Sequence, residues 1–209
     1  KLFLIYGENE GLKEDLILAF SKDYSKENTF KYSEKEIFLN LENFYNNIFS
    51  QSFFEKKKLI IVNNASEKIK SEIELLLTKN IEDITLIFLS NILEKKSKLR
   101  NLFEKDKNLI CVAVYKDDHR VLFNLTNSFF RSKKIDISTE SINLIIERSS
   151  EDRKNLRNEL KKIDCFIGNK KKIDFDDLIK LTNLSENHSI NKIVDMSLAK
   201  NTRETLRVI

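Results

Sequence analysis

Four short apolar runs constrain what this chain can fold into: Leu2-Phe3-Leu4-Ile5-Tyr6, Leu59-Ile60-Ile61-Val62, Thr85-Leu86-Ile87-Phe88-Leu89 and Leu109-Ile110-Cys111-Val112-Ala113-Val114. Each is continuous rather than alternating, the pattern of a strand buried on both faces. Between them, apolar residues recur at helical spacing: Leu12, Leu16, Ala19 and Phe20, then Ile37, Leu41, Phe44, Tyr45, Ile48 and Phe49, then Ile69, Ile73, Leu76 and Leu77, then Leu99, Leu102 and Phe103. The first helix is expected to reach about Tyr24, the second set reads as one helix, and Thr29 to Tyr32 adds a short strand. Buried strands alternating with amphipathic helices call for a parallel sheet covered on both faces, over residues 1 to about 115.

Beyond Asp117 the strand-type runs cease. Leu122, Leu125 and Phe129 predict one helix, Ile142, Ile145 and Ile146 a second entered through Ser138, and Leu156, Leu160, Ile163 and Ile167 a third. Ser149-Ser150-Glu151-Asp152 reads as a capping-box entrance to the third, and Gly168 as its C-terminal cap. Asp174 to Leu181 predicts a shorter helix with acidic residues at its start. Residues 116–185 are thus expected to form a small helical domain. Ile190, Ile193, Val194 and Leu198 open a further helical unit over 186–209, and the chain reads as cut at both ends.

With 41% hydrophobic and 33% charged residues the chain can build a core and is not of the disordered class. It has no apolar stretch of membrane-spanning length and nothing like a signal peptide, so a cytosolic location is expected. Cys111 and Cys165 stand in no CxxC pair, which speaks against zinc ribbons and disulfide frameworks, and both are expected as buried apolar fillers. The net charge of +4 is mild and its charges are interspersed. Abundant Lys, Asn, Ile and Phe without proline read as a compositional bias, so a lysine cluster carries little weight here.

Two of the three glycines, Gly7 and Gly11, sit between the first strand and the first helix, where a phosphate cradle would lie. A nucleotide loop of the GxxxxGK[ST] kind needs four residues between its glycines, a lysine directly after the second and a hydroxyl for magnesium. Here three residues intervene, Lys13 does not follow Gly11 directly, and Glu14 stands where the hydroxyl is required. Glu8 and Glu10 would repel an anion. The third strand ends in Asn63-Asn64 rather than an acidic pair able to hold magnesium and orient water. His119 and His188 have no neighbours at ligand spacing. The expectation is a structural strand-to-helix turn, with no catalytic residue, cofactor or metal.

Ser52-Phe53-Phe54-Glu55-Lys56-Lys57-Lys58 places two adjacent aromatics on a polar connection. The pair either closes the end of the sheet domain or forms an exposed protein-binding anchor. Lys56, Lys57 and Lys58 read as a solvated loop in preference to a phosphate-contacting patch.

Several short motifs in one order resemble the delta subunit of the bacterial DNA polymerase III clamp loader. Leu4-Ile5-Tyr6-Gly7-Glu8-Asn9-Glu10 looks like that family's opening, Ser52-Phe53-Phe54 before Lys57-Lys58-Leu59-Ile60-Ile61-Val62 resembles its SLF…KKLIIV segment, and Asp152-Arg153 through Asn158-Glu159-Leu160 resembles its GDxRxxxNELEKL helix. Ile173-Asp174-Phe175-Asp176-Asp177-Leu178 is similar to its ITLEDV entry to a last helix. Ser149-Ser150-Glu151 departs from the glycine expected before Asp152. The resemblance implies an AAA+-like α/β sheet domain (1–115) with a degenerate nucleotide site, a helical lid domain (116–185) and the start of a collar domain (186–209). It further implies that Ser52, Phe53 and Phe54 bind the sliding clamp (the beta subunit) and open it, while partner ATPase subunits and a delta-prime subunit, joined through the collar, hydrolyse ATP. Primed DNA would be met within that complex. An active AAA+ ATPase with a diverged loop and a basic nucleic-acid-binding protein are the alternatives.

Overall fold

The computed structural model describes residues 1–49, 57–79, 83–168, 172–182 and 197–200. These divide into two compact units, one of Lys1–Asp117 with Asp152–Lys154, the other of Asp118–Glu151 with Asn155–Ile209.

In the first unit, β1 (Leu2–Gly7), β2 (Thr29–Ser33), β3 (Lys58–Asn63), β4 (Ile84–Ser90) and β5 (Leu109–Val114) form one sheet in the order β2-β3-β4-β1-β5. All its pairings are parallel, with Leu4 opposite Phe88 on one side and Cys111 on the other. The strand period of two divides the apolar runs between two faces. Leu4, Tyr6, Ile60, Val62, Leu86 and Phe88 pack with Ile37, Phe44, Ile48, Ile73, Leu99 and Phe103. Those partners lie on α2 (Glu34–Leu39), α3 (Leu41–Phe49), α4 (Lys70–Leu77) and α5 (Lys98–Lys105). Ile5, Leu59, Ile61, Ile87 and Leu89 turn the other way, against Leu12, Leu16 and Phe20 of α1 (Glu10–Ser21). The edge strand β5 is less covered than its run suggested, with Ile110 exposed.

The expected second helix is two. Asn40 leaves helical geometry at φ −149°, and its side-chain oxygen accepts the backbone N–H of Asn43 at 2.9 Å, capping α3. The apolar stripe runs on across Asn40, which hid the break, while an asparagine at that point is a favoured cap. Lys58 also departs from expectation. It is the first residue of β3, 5% exposed, and its ammonium donates to the Asn47 carbonyl in the last turn of α3 at 2.9 Å. Cations suit helix C-terminal turns, and burial lowers the Lys58 pKa. Lys57 is exposed, as a solvated loop requires.

The second unit contains α6 (His119–Ser132), α7 (Thr139–Arg148), α8 from Asn155 onward (Arg153–Ile167 in full) and α9 (Phe175–Leu181). Its core joins Leu122, Phe130, Ile142, Ile145, Ile146, Leu156, Leu160, Ile163 and Leu178. Ser138 caps α7, accepting the N–H of Ser141 at 3.1 Å. Gly168 follows α8 at φ +53°, where a side chain would be strained. Ser149 does not open α8: it closes α7, its hydroxyl donating to the Ile146 carbonyl at 2.6 Å, and Ser150 and Glu151 turn through positive φ. Cys165 is exposed rather than buried, because it lies off the stripe marked by Ile163 and Ile167. No described helix is long and apolar enough to cross a membrane.

Candidate functional site

Strand β1 lies between β4 and β5, so the strand order reverses at its C-terminal end. In open α/β sheets that crevice is where ligands bind. The turn of Gly7 to Glu14 lies at this place, between β1 and α1.

Gly7 has φ +138°, and a Cβ there would stand 2.0 Å from the Val114 carbonyl oxygen. The residue is glycine because β5 passes against it, paired in register with Val114. Gly11 is glycine for a related reason: a Cβ would meet the backbone nitrogen of Lys154 at 2.7 Å and the Arg153 side chain at 2.9 Å. Both glycines therefore serve close packing of protein on protein.

Several N–H groups of the turn are also taken. Asn9 caps α1, accepting the N–H of Leu12 at 2.9 Å, and its carbonyl accepts that of Lys13 at 3.1 Å. Glu10 donates its N–H to the Glu8 carbonyl, and Asn9 donates its own to Val114. The Asn9 amide donates onward to the Tyr115 carbonyl at 2.9 Å and to Asp117 at 2.8 Å.

Asp117 and Arg153 form the centre of the arrangement. The guanidinium donates to both oxygens of Asp117, at 2.7 and 2.9 Å, and to Asp15 at 2.9 Å. Burial alone would raise the Asp117 pKa, but hydrogen bonds from Arg153 and Asn9 and the Arg153 charge hold it below the ordinary carboxylate value. Arg153 is raised in turn by Asp117 and Asp15, against the effect of its burial. Lys13 is buried and bound to Glu10 at 2.7 Å, and Lys154 is paired with Glu14 at 2.7 Å. Lys13, Arg153 and Lys154 are thus each paired with a carboxylate. At the tip of β3, the Asn63 amide donates to the Tyr32 carbonyl at 3.3 Å, and Asn64 turns at φ 56°.

The sequence pointed to Gly7, Gly11, Lys13 and Glu14, and the structure brings all four to one turn. It did not disclose that Asn9, Asp15, Asp117 and Arg153 join them. The aspartate and arginine at the centre are far apart in the chain, and their only sequence signal was the arginine opening a helix after Asp152. Ser52, Phe53, Phe54 and Lys56 lie outside the described residues, as does His188. His119 is the first residue of α6. On the flank of the aromatic segment, Phe49 stacks on Tyr45 with ring centroids 6.0 Å apart, and the Lys79 ammonium lies 4.6 Å from the Phe49 centroid.

The sequence matches no protein-family model and no curated protein. Among solved structures, the Bacillus subtilis DNA clamp loader delta protein superposes with a TM-score of 0.61 at 16% identity, over 99% of this chain and 65% of that one. The fold is AAA+-like. Domain III of the Thermotoga maritima replication initiation protein DnaA matches with a TM-score of 0.52 at 16% identity, over 87% of this chain and 82% of that one. The Thermotoga maritima RuvB Holliday junction branch migration motor matches at 0.56 and 14%, over 86% and 60%. This chain therefore spans about two thirds of the length of the delta protein it resembles, and at these identities the likeness is one of fold.

Proposed function

We propose that this chain is the sheet-and-lid part of a delta-type clamp-loader subunit, which binds and opens a sliding clamp in DNA replication without hydrolysing ATP. One observation supports the reading: in a fold matched along 99% of the chain by a clamp loader delta protein, the turn after β1 is tied by its own hydrogen bonds and ion pairs to Asp117 and Arg153. A subunit that cannot bind nucleotide contributes by binding protein, and the energy of that binding offsets part of the cost of opening a closed ring. Ser52, Phe53 and Phe54 are the proposed clamp contact, with Phe53 and Phe54 seated in an apolar pocket of the clamp. The ATP-processing and delta-prime subunits are proposed partners through a collar that 186–209 begins, primed DNA is met within the complex, and the setting is the cytoplasmic replication machinery.

The deciding experiment is a pull-down of a sliding clamp by the full-length protein and by Phe53→Ala/Phe54→Ala. Filling a preformed pocket with an aromatic hot spot is worth about 2 kcal/mol or more per residue. The double change is therefore expected to weaken clamp binding by a factor on the order of a hundred or more, with an unchanged melting midpoint. A stable double variant that binds clamp normally would defeat the assignment. A fluorescent ATP analogue with magnesium is expected to give no saturable signal. Micromolar binding abolished by Lys13→Ala would favour the ATPase instead.

A further inference from the structure

A second docking feature lies in the first unit, at the end of β3 opposite to the one the Ser52–Phe54 connection enters. That connection reaches β3 at Lys58, whereas α2 follows the C-terminal end of β2, and the 3-10 turn Glu67–Ile69 follows the C-terminal end of β3. A strand of this length separates the two ends by about 17–20 Å. Between α2 and the 3-10 turn is a groove of about 660 Å³ lined by Glu34, Lys35, Phe38, Leu39 and Lys68.

Leu39 is 85% exposed and Phe38 40%, adjacent apolar side chains at the end of a six-residue helix. Exposed apolar groups gathered in a concavity and rimmed by polar ones mark interaction sites more often than scattered ones do. The charges around the groove are unequal in availability. Glu34 is buried and accepts the N–H and hydroxyl of Ser66 at 2.8 and 2.9 Å, and Glu67 accepts the N–H of Lys98 at 2.9 Å. Glu36, on the same helix, accepts the N–H of Ser33 at 2.6 Å. Lys35 and Lys68 are exposed and make no ion pair among the described residues. The carboxylates keep their charge but are held by backbone and hydroxyl donors, while the rim carries two exposed ammonium groups without an ion pair among the described residues, over an apolar floor.

We infer that this groove docks a segment of a partner protein in which large apolar side chains are flanked by aspartate or glutamate. The apolar floor supplies the burial and the two lysines supply register and selectivity for acidic flanks. A nucleic acid fits less well, because the most exposed floor residue is an aliphatic leucine that gives no stacking face, and a carboxylate lines the groove.

The test uses the full chain and a fluorescein-labelled peptide carrying a leucine-phenylalanine pair between two aspartates on each side, read by anisotropy at low salt. The acidic peptide is expected to bind with submillimolar affinity. Leu39→Ser, a change at a position too exposed to disturb the core, is expected to weaken it at least ten-fold with an unchanged melting midpoint. Lys35→Glu/Lys68→Glu is expected to weaken it similarly and to prefer a peptide with lysines in place of the aspartates. Phe53→Ala/Phe54→Ala is expected to bind the peptide like the unaltered chain, so this result stands apart from the clamp experiment. No binding, equal binding by Leu39→Ser, displacement by an oligonucleotide of similar length, or Leu39-dependent self-association in sedimentation would each overturn the inference.

Discussion

Replacing Arg153 by methionine removes the guanidinium while keeping most of the side-chain volume. The Arg153 side chain is 12% exposed and that of Asp117 8%, so the change strands a buried carboxylate with only the Asn9 amide for company. Breaking one side of an enclosed ion pair costs about 3–5 kcal/mol. Asp15, 32% exposed, regains water when released, which favours the lower end, about 3 kcal/mol. With a urea slope of about 1–3 kcal/mol/M, the unfolding midpoint should fall by about 1–3 M. The five tyrosines, Tyr6, Tyr24, Tyr32, Tyr45 and Tyr115, all belong to the first unit, and the chain has no tryptophan, so tyrosine fluorescence reports that unit selectively. Arg153→Met/Asp117→Asn should recover much of the loss, because both charges are then absent. Lys154→Ala, which breaks a half-exposed pair, should cost less than about 0.5 kcal/mol. The sign of the acid dependence follows from the depressed Asp117 pKa. Its contribution is complete above the unfolded carboxylate value of about 3.9 and is lost as pH falls through the lower folded value, where the gap between the unaltered chain and Arg153→Met should shrink. A midpoint shift under about 0.3 M for Arg153→Met, or a double variant less stable than the single, would refute this account.

Two further outcomes follow from local geometry. Gly7→Ala places a methyl 2.0 Å from a backbone oxygen at φ +138°, and should lower the melting midpoint by about 10 °C or more, or prevent soluble expression, measured by circular dichroism. Cys111 is half-buried and its thiol is pushed up to about 11, chiefly by burial, so at pH 8 an aromatic disulfide reagent should label exposed Cys165 about a hundred-fold faster, as resolved by peptide mapping.

The strands were legible because four runs of consecutive apolar residues leave only one economical arrangement, in which neighbouring side chains such as Leu4 and Ile5 enter different cores. The turn was legible because its chemistry is local: glycine spacing and the sign of Glu8, Glu10 and Glu14 can be judged without a fold. What could not be read depends on distant partners. Lys58 looked like one more solvated lysine until the Asn47 carbonyl came beside it. Asp117 looked like a boundary residue until Arg153 reached it. The break at Asn40 and the closure of α7 at Ser149 were local but ambiguous, because the same polar side chain can end one helix or begin the next. Cys165 was legible in principle, since its distance from Ile163 along the helix already places it off the buried stripe.

The position of β1 has a consequence for how the protein is made. Leu2 leaves the ribosome well before its sheet partners, Leu86 on one side and Leu109 on the other. At about 5–20 residues per second, the opening strand waits on the order of ten seconds before both neighbours exist. Until β4 emerges, β2 and β3 can pair with one another, while Leu2, Leu4 and Ile5 have neither neighbouring strand to lie against. The nascent chain therefore carries an incompletely paired apolar strand through most of the synthesis of its first unit, and slower translation between Leu86 and Val114 should prolong its demand for a chaperone.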